Sequence, residues 1–262
     1  MAGNPTDTFG YRTKAPIIEA IGVTKIYQIG KQMVSPVSDA SLQIGYCDLA
    51  VIFGPSGAGK STLLNLISGV ELPDVGEVFL KGDNLHKYSV EDKARIRLKR
   101  FGFVTQQQHW LDYLTIWENV ALPLSLQGEK LSVSKSKAID LLYSVGLKGF
   151  ETRRPNELSI GQQQKASIAR ALINEPWIIF ADEPTEHLDT KSAEEVMDIL
   201  LETNRKDQRT LIMVTHDMEY LKFSKKWFFV KDGRLWDIKD HTNPFRNITE
   251  ATKYIEDGKI KI

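Results

Sequence analysis

The densest chemistry in the chain lies in Gly54-Pro55-Ser56-Gly57-Ala58-Gly59-Lys60-Ser61, followed by Thr62. The spacing is that of a phosphate-binding loop, G-x-x-x-x-G-K-[ST]. An apolar run precedes it and a helix-forming stretch follows, which is the setting such a loop needs. Glycines let the backbone turn so that successive N–H groups point at phosphate oxygens, and the following helix adds about half a positive charge at its N-terminus. In this pattern Lys60 neutralises the β- and γ-phosphates, the Ser61 hydroxyl ligates Mg²⁺, and Thr62 contacts the α-phosphate region. By itself the loop says only that a nucleoside triphosphate binds.

A second constellation is Trp177-Ile178-Ile179-Phe180-Ala181-Asp182-Glu183, an apolar run that ends in two acids. Asp182 would emerge at the carboxyl end of a strand, where open α/β sheets bind ligands. Mg²⁺ takes one or two carboxylates together with phosphate oxygens, which suits Asp182. Glu183 is then placed to hold a water in line with the γ-phosphate. An apolar run ending in Asp-Glu is weak on its own, because a strand ending in a solvated turn has the same pattern. Its weight comes from the phosphate loop.

These residues need a scaffold. Strand character is expected over residues 17–27, 49–53, 177–180, 210–214 and 226–230. Leu49-Ala50-Val51-Ile52-Phe53 is continuous enough for a central parallel strand buried on both faces. Helices are expected over 61–68, 91–100, 117–126, 134–145, 161–174 and 191–204. In the fourth of these helices, Ile139, Leu141, Leu142 and Val145 are expected to face inward. No clear strand falls between about 110 and 158, so a helical subdomain over about 108–158 is expected inside an α/β core with a mostly parallel sheet. Asp232-Gly233 reads as a hairpin turn. Residues 1–16 read as a loose tail, 17–235 as the core domain and 236–262 as a C-terminal extension. Trp227, Phe228 and Phe229 read as core.

Bulk composition narrows the classes. Lys plus Arg and Asp plus Glu both number 34 among 262 residues, so charge makes no case for nucleic acid or an anionic membrane as the main partner. The only cysteine, Cys47, excludes an intrachain disulfide and fits a reducing compartment. The N-terminal stretch lacks the apolar core of a signal peptide, and no apolar run approaches the ~20 residues that span a bilayer. His86, His109 and His241 have no spacing with Cys or acids that suggests a metal site, and Arg95 to Arg100 reads as a solvated helix face.

The segment Leu158-Ser159-Ile160-Gly161-Gln162-Gln163-Gln164-Lys165 begins a helix, with Ser159 as N-cap. It also resembles the signature motif of ABC-type ATPases, LSGGQ. The resemblance extends along the chain. Tyr27 stands 27 residues before Gly54, where the family places an aromatic that stacks on adenine. Gln106 looks like the Q-loop glutamine, Ala181 to Thr185 the Walker B motif, Leu188-Asp189 the D-loop and Val214-Thr215-His216-Asp217 the switch-histidine segment. Gly102-Phe103-Val104, Glu118 to Leu124 and the triple glutamine are similar to the ATPases of lipoprotein release, macrolide export and cell-division complexes.

The resemblance implies a P-loop NTPase core with an N-terminal antiparallel β portion. It also implies an ATPase using ATP and Mg²⁺, with the metal at Ser61, Gln106 and Asp182. Glu183 and His216 are implied as catalytic, and Tyr27, Gly54 to Thr62, Gln106, Ser159, Gly161, Gln162 and Asp189 as nucleotide-binding. In this family the signature serine serves the nucleotide of a second cassette, so the implied partners are a second copy or a homologous ATPase, head to tail, and transmembrane permease-like subunits. The implied location is peripheral, on the cytoplasmic face of a membrane. Two departures stand out: Ile160 replaces the first signature glycine, and Glu186-His187 is an unusual pair before Leu188.

Other readings have weaker support. A GTPase would need N/T-K-x-D, and Asn204-Arg205-Lys206-Asp207 has its lysine one place too late. DNA-repair relatives would carry a long coiled coil, and translation-associated ones two cassettes. An ATP-dependent clamp that hydrolyses slowly and signals through its partner is the main alternative.

Overall fold

The structure is a computed structural model and describes residues 16–224, 226–238, 249–251, 253 and 257. In chain order the elements are β1 (Ile18–Ile29), β2 (Gln32–Ile44), β3 (Leu49–Phe53), α1 (Lys60–Ile67), β4 (Val75–Leu80), β5 (Asp83–Asn84), α2 (Val90–Arg100), β6 (Phe101–Val104), α3 (Ile116–Leu126), α4 (Leu131–Ser144), α5 (Ile160–Leu172), β7 (Ile178–Asp182), α6 (Thr190–Arg205), β8 (Thr210–Thr215), β9 (Lys226–Lys231) and β10 (Arg234–Ile238). The expected α/β class is what forms. The described residues divide into two compact units, one running from residue 16 to Lys93 and resuming at Val214, the other comprising Ala94–Met213.

The first unit holds two sheet portions. One is antiparallel, in the order β2-β1-β4-β5, as expected for the N-terminal part. The other places β9 between β3 and β10, parallel to β3 and antiparallel to β10. All five residues of β3 are buried, as a strand covered on both faces requires. Phe53 and Phe229 meet edge to face at 5.2 Å. Trp227, Phe228 and Phe229 are buried, as expected. The hairpin at Asp232-Gly233 joins β9 to β10. Helix α1 buries Leu63, Leu64, Leu66 and Ile67, each contributing about 1.5–3 kcal/mol of apolar burial. That burial anchors the helix whose first turn carries the phosphate-loop residues.

In the second unit β6 runs parallel to β7, with Phe180 packed on Phe101 at 5.1 Å and stacked on Phe103 at 5.5 Å. Gly102 lets α5 approach: a Cβ there would stand 2.4 Å from the Ala171 carbonyl oxygen. Helices α3, α4 and α5 share a core that includes Val120, Leu124, Leu142, Ala166, Ala169 and Ile173. On α4 the inward face is carried by Ser134, Ala138 and Leu142, with Val145 just beyond the helix, while Ile139 and Leu141 are half-buried. Glu118 and Asn119 build the start of α3. Glu118 accepts from the backbone N–H of Thr115 at 2.8 Å, and the buried Asn119 side chain bonds the backbone of Leu111, Leu114 and Thr115.

The tail expected over residues 1–16 lies almost wholly outside the described residues, as do most of 236–262 and His241. Among the described residues no helix is long and apolar enough to cross a membrane.

Candidate nucleotide site

The expected site residues fall into both units. Tyr27, Gly54 to Thr62 and His216 belong to the first. Gln106, Ser159, Gly161, Gln162, Asp182, Glu183 and Asp189 belong to the second.

The phosphate loop leaves β3 at Gly54 and enters α1 at Gly59. Both glycines have φ values L side chains rarely adopt, 155° and 102°. Both also lie against backbone: a Cβ would meet the Val230 carbonyl oxygen at 2.0 Å in one case and that of Pro36 at 1.8 Å in the other. The loop's curvature is therefore fixed by β9 and β2 as well as by its own sequence. The Ala58 carbonyl accepts from the Gly233 N–H at 3.2 Å, tying the loop to the β9–β10 hairpin. Lys60 is only 7% exposed, and its ammonium donates to the carbonyls of Gly54 (3.1 Å) and Pro55 (3.0 Å). It lies along the loop it is expected to complete. Ser61 is exposed and Thr62 half-buried.

Tyr27, on β1, is half-buried, and its hydroxyl donates to the Glu71 carboxylate. The other oxygen of that carboxylate accepts from the Asn65 amide on α1 at 2.9 Å. Burial, then the bond to Glu71, push the Tyr27 hydroxyl's pKa up to about 12. Neither Glu71 nor Asn65 belongs to a motif, and the contact joins residues far apart in sequence. His216 is exposed where β8 ends, and the next residue, Asp217, caps a short helical turn over Met218–Phe223 by accepting from Glu219 N–H at 2.9 Å.

In the second unit Asp182 ends β7. Glu183 follows with φ 46°, a left-handed conformation that costs a non-glycine residue about 1–2 kcal/mol. The turn it opens is closed by the bonds from Glu186 N–H to the Glu183 carbonyl (3.1 Å) and from Leu188 N–H to that of Thr185 (3.3 Å). Gln106 is exposed and donates its amide to the Glu186 carboxylate at 2.5 Å. The unusual residue of the D-loop is thus the one that holds the Q-loop glutamine.

Ser159 caps α5, its hydroxyl accepting from Gln162 N–H at 3.3 Å while the Gln162 side chain accepts from Ser159 N–H at 3.0 Å. Gly161 is buried against α6, where a Cβ would stand 2.7 Å from the Ser192 hydroxyl oxygen. Asp189 caps α6 and bonds both the N–H (3.0 Å) and the hydroxyl (2.7 Å) of Ser192, and the Ser192 N–H is the main reason its carboxyl pKa is lowered. Ile160 is 56% exposed, so the replaced glycine meets no obstacle. The following glutamines reach the Q-loop segment: Gln163 accepts from the Trp110 indole at 3.1 Å, and Gln164 accepts from Gln108 at 2.6 Å. Arg170 stacks on Trp110 at 4.3 Å and donates to the Gln108 carbonyl. Burial lowers its pKa to about 10, which leaves it charged at neutral pH. These contacts were not legible beforehand.

The profile of the family described as ABC transporter matches residues 37–186. The lipoprotein-releasing system ATP-binding protein LolD of Xanthomonas axonopodis pv. citri is 42% identical over 223 residues, 85% of this chain and 91% of that protein. The macrolide export ATP-binding/permease protein MacB of Chlorobaculum tepidum is 41% identical over 221 residues, 84% of this chain but 34% of that longer protein. The dimeric, post-hydrolysis structure of the ATP-binding cassette MJ0796 bound to ADP and Pi is 36% identical, with a TM-score of 0.79 over 83% of this chain and 96% of that one.

Proposed function

This chain belongs to the ABC transporter family as an ATP-binding subunit, and from that premise we propose that it drives a membrane complex by closing on ATP as a head-to-tail dimer and reopening after hydrolysis. The observation that carries the reading is the phosphate cradle: two glycines seated on neighbouring backbone and a buried lysine folded along the loop. Such a loop receives phosphate oxygens on backbone N–H groups and neutralises them with Lys60. Tyr27 offers its ring to the base.

Ser61, Asp182 and Gln106 are oxygen donors, the kind a hard cation such as Mg²⁺ takes; Gln106 uses its amide nitrogen on Glu186, so its carbonyl oxygen is the end suited to metal. These residues would hold Mg²⁺, which would supply charge neutralisation for the phosphates. Glu183 holds the attacking water and accepts its proton, and His216 steadies the γ-phosphate. Ser159, Gly161 and the N-terminus of α5 serve the γ-phosphate held by a second cassette, so cleavage removes the group that joins the two halves. The likeness to LolD and MacB supports a transmembrane, permease-like partner and a place on the cytoplasmic face of a membrane.

Titration calorimetry of the full chain with ATP tests the cradle. Lys60→Ala should weaken binding at least about tenfold, or ~1.4 kcal/mol. Unchanged affinity would overturn the reading.

A further inference from the structure

We propose that Glu71 is the positioning residue that sets the base platform relative to the phosphate loop, by tying the Tyr27 hydroxyl to helix α1. The proposal rests on the reading that Tyr27 stacks on the base while Gly54 to Thr62 hold the phosphates. Four observations carry it. One carboxylate oxygen of Glu71 accepts from Tyr27, and the other accepts from Asn65 at 2.9 Å. Glu71 is itself pinned at the backbone, its N–H donating to the Asn65 carbonyl at 3.1 Å, beside Val70 N–H at 3.0 Å. The Thr62 side chain is near enough to the Tyr27 hydroxyl to lower its pKa against the raising effect of Glu71. Thr62 and Asn65 lie three apart on α1, hence on one face of the helix that starts at the loop.

The geometry has a chemical consequence. A tyrosine ring turns about two side-chain torsions, and a hydroxyl bonded at its far end stops that turning. A base stacks well only on a ring held at the right tilt. A carboxylate suits the tether, because both of its oxygens accept hydrogen bonds at once and its charge strengthens each of them. Asn65, through Glu71, couples the ring to the helix that the loop begins, so the spacing from base to phosphates is set within one connection. Inorganic tripolyphosphate, which has no base, should not sense it.

The test is calorimetry on the full chain with ATP and with inorganic tripolyphosphate. Glu71→Ala and Tyr27→Phe should each weaken ATP about 5- to 10-fold, roughly the net effect of losing one ordinary hydrogen bond. Tripolyphosphate affinity should stay within about twofold by the same reasoning, and the double variant should be no weaker than either single one. Tyr27→Ala, which removes the ring, should weaken ATP further. If Tyr27→Ala weakens ATP while Tyr27→Phe and Glu71→Ala do not, the tether is refuted and the base platform stands. If Tyr27→Ala leaves ATP affinity unchanged, the base-stacking reading fails with it. Equal weakening of ATP and tripolyphosphate by Glu71→Ala would place Glu71 in the support of the loop instead and overturn the proposal.

Discussion

Gly161→Ala isolates why one signature glycine is kept while the other is replaced. A Cβ at position 161 would stand 2.7 Å from the Ser192 hydroxyl oxygen and 2.9 Å from its Cβ, closer than real side-chain carbons approach. Ser192 cannot move away freely, since Asp189 holds both its N–H and its hydroxyl. Either α5 shifts or the cap of α6 breaks. Overpacking of this kind costs about 1–3 kcal/mol. In a chain of this size 1 kcal/mol moves the melting temperature by about 2–4 °C, so a fall of roughly 2–12 °C is expected in a thermal denaturation scan. Ile160→Gly, at an exposed position, should move it by less, within about 0.5 kcal/mol as for surface changes. Adding Ser192→Gly to Gly161→Ala removes the clashing atoms, so the double variant should lose less than the sum of the two single losses. A Gly161→Ala protein as stable as wild type, or a strictly additive pair, would refute the packing argument.

Two further outcomes follow from the contacts. The Tyr27 hydroxyl has its pKa raised from 10.0 to about 12 in the folded chain, so its contribution to stability is complete below pH 10 and is lost as pH rises through 12; denaturation at pH 9 and pH 12 should show a larger loss for wild type than for Tyr27→Phe. Arg170→Met removes the guanidinium that stacks on Trp110 and donates to the Gln108 carbonyl, so hydrogen exchange across residues 106–110 should speed up at least several-fold; unchanged protection would show that the glutamine contacts suffice.

The residues that carry chemistry were the easiest to read, because their types and spacing follow from phosphate charge and carry little dependence on distant parts of the chain. β3 was equally plain, five apolar residues between glycines. β2 was not expected at all. Its buried residues Val37, Ala40, Leu42 and Ile44 break the two-residue period between Val37 and Ala40, where the register with β1 shifts, Pro36 interrupts the run, and Asp39 takes φ 49°. β6 was hidden by its four-residue length directly after a charged helix, and β4 because only Val78 and Leu80 of its residues are buried. On α4 the expected inward face is present at Leu142 and Val145, with Leu141 packed against the core, and small Ser134 and Ala138, which a hydrophobic pattern undervalues, are buried beside them. Glu71, Asn65 and Arg170 escaped for another reason. Glu71 and Arg170 act through partners tens of residues away, Asn65 acts through Glu71, and no local spacing announces such pairings. Asp189, Ser159 and Gln162 were read as nucleotide residues; the structure also gives each a capping role in its own helix.

The central claim, hydrolysis inside an ATP-closed dimer, is tested most directly by Glu183→Gln, with the mass of the particle and phosphate release measured together in MgATP. The expected result is a stable species of twice the chain mass that forms only with ATP, and phosphate release slowed at least about 100-fold, the usual contribution of a general base. A monomer that releases phosphate at the wild-type rate would contradict it.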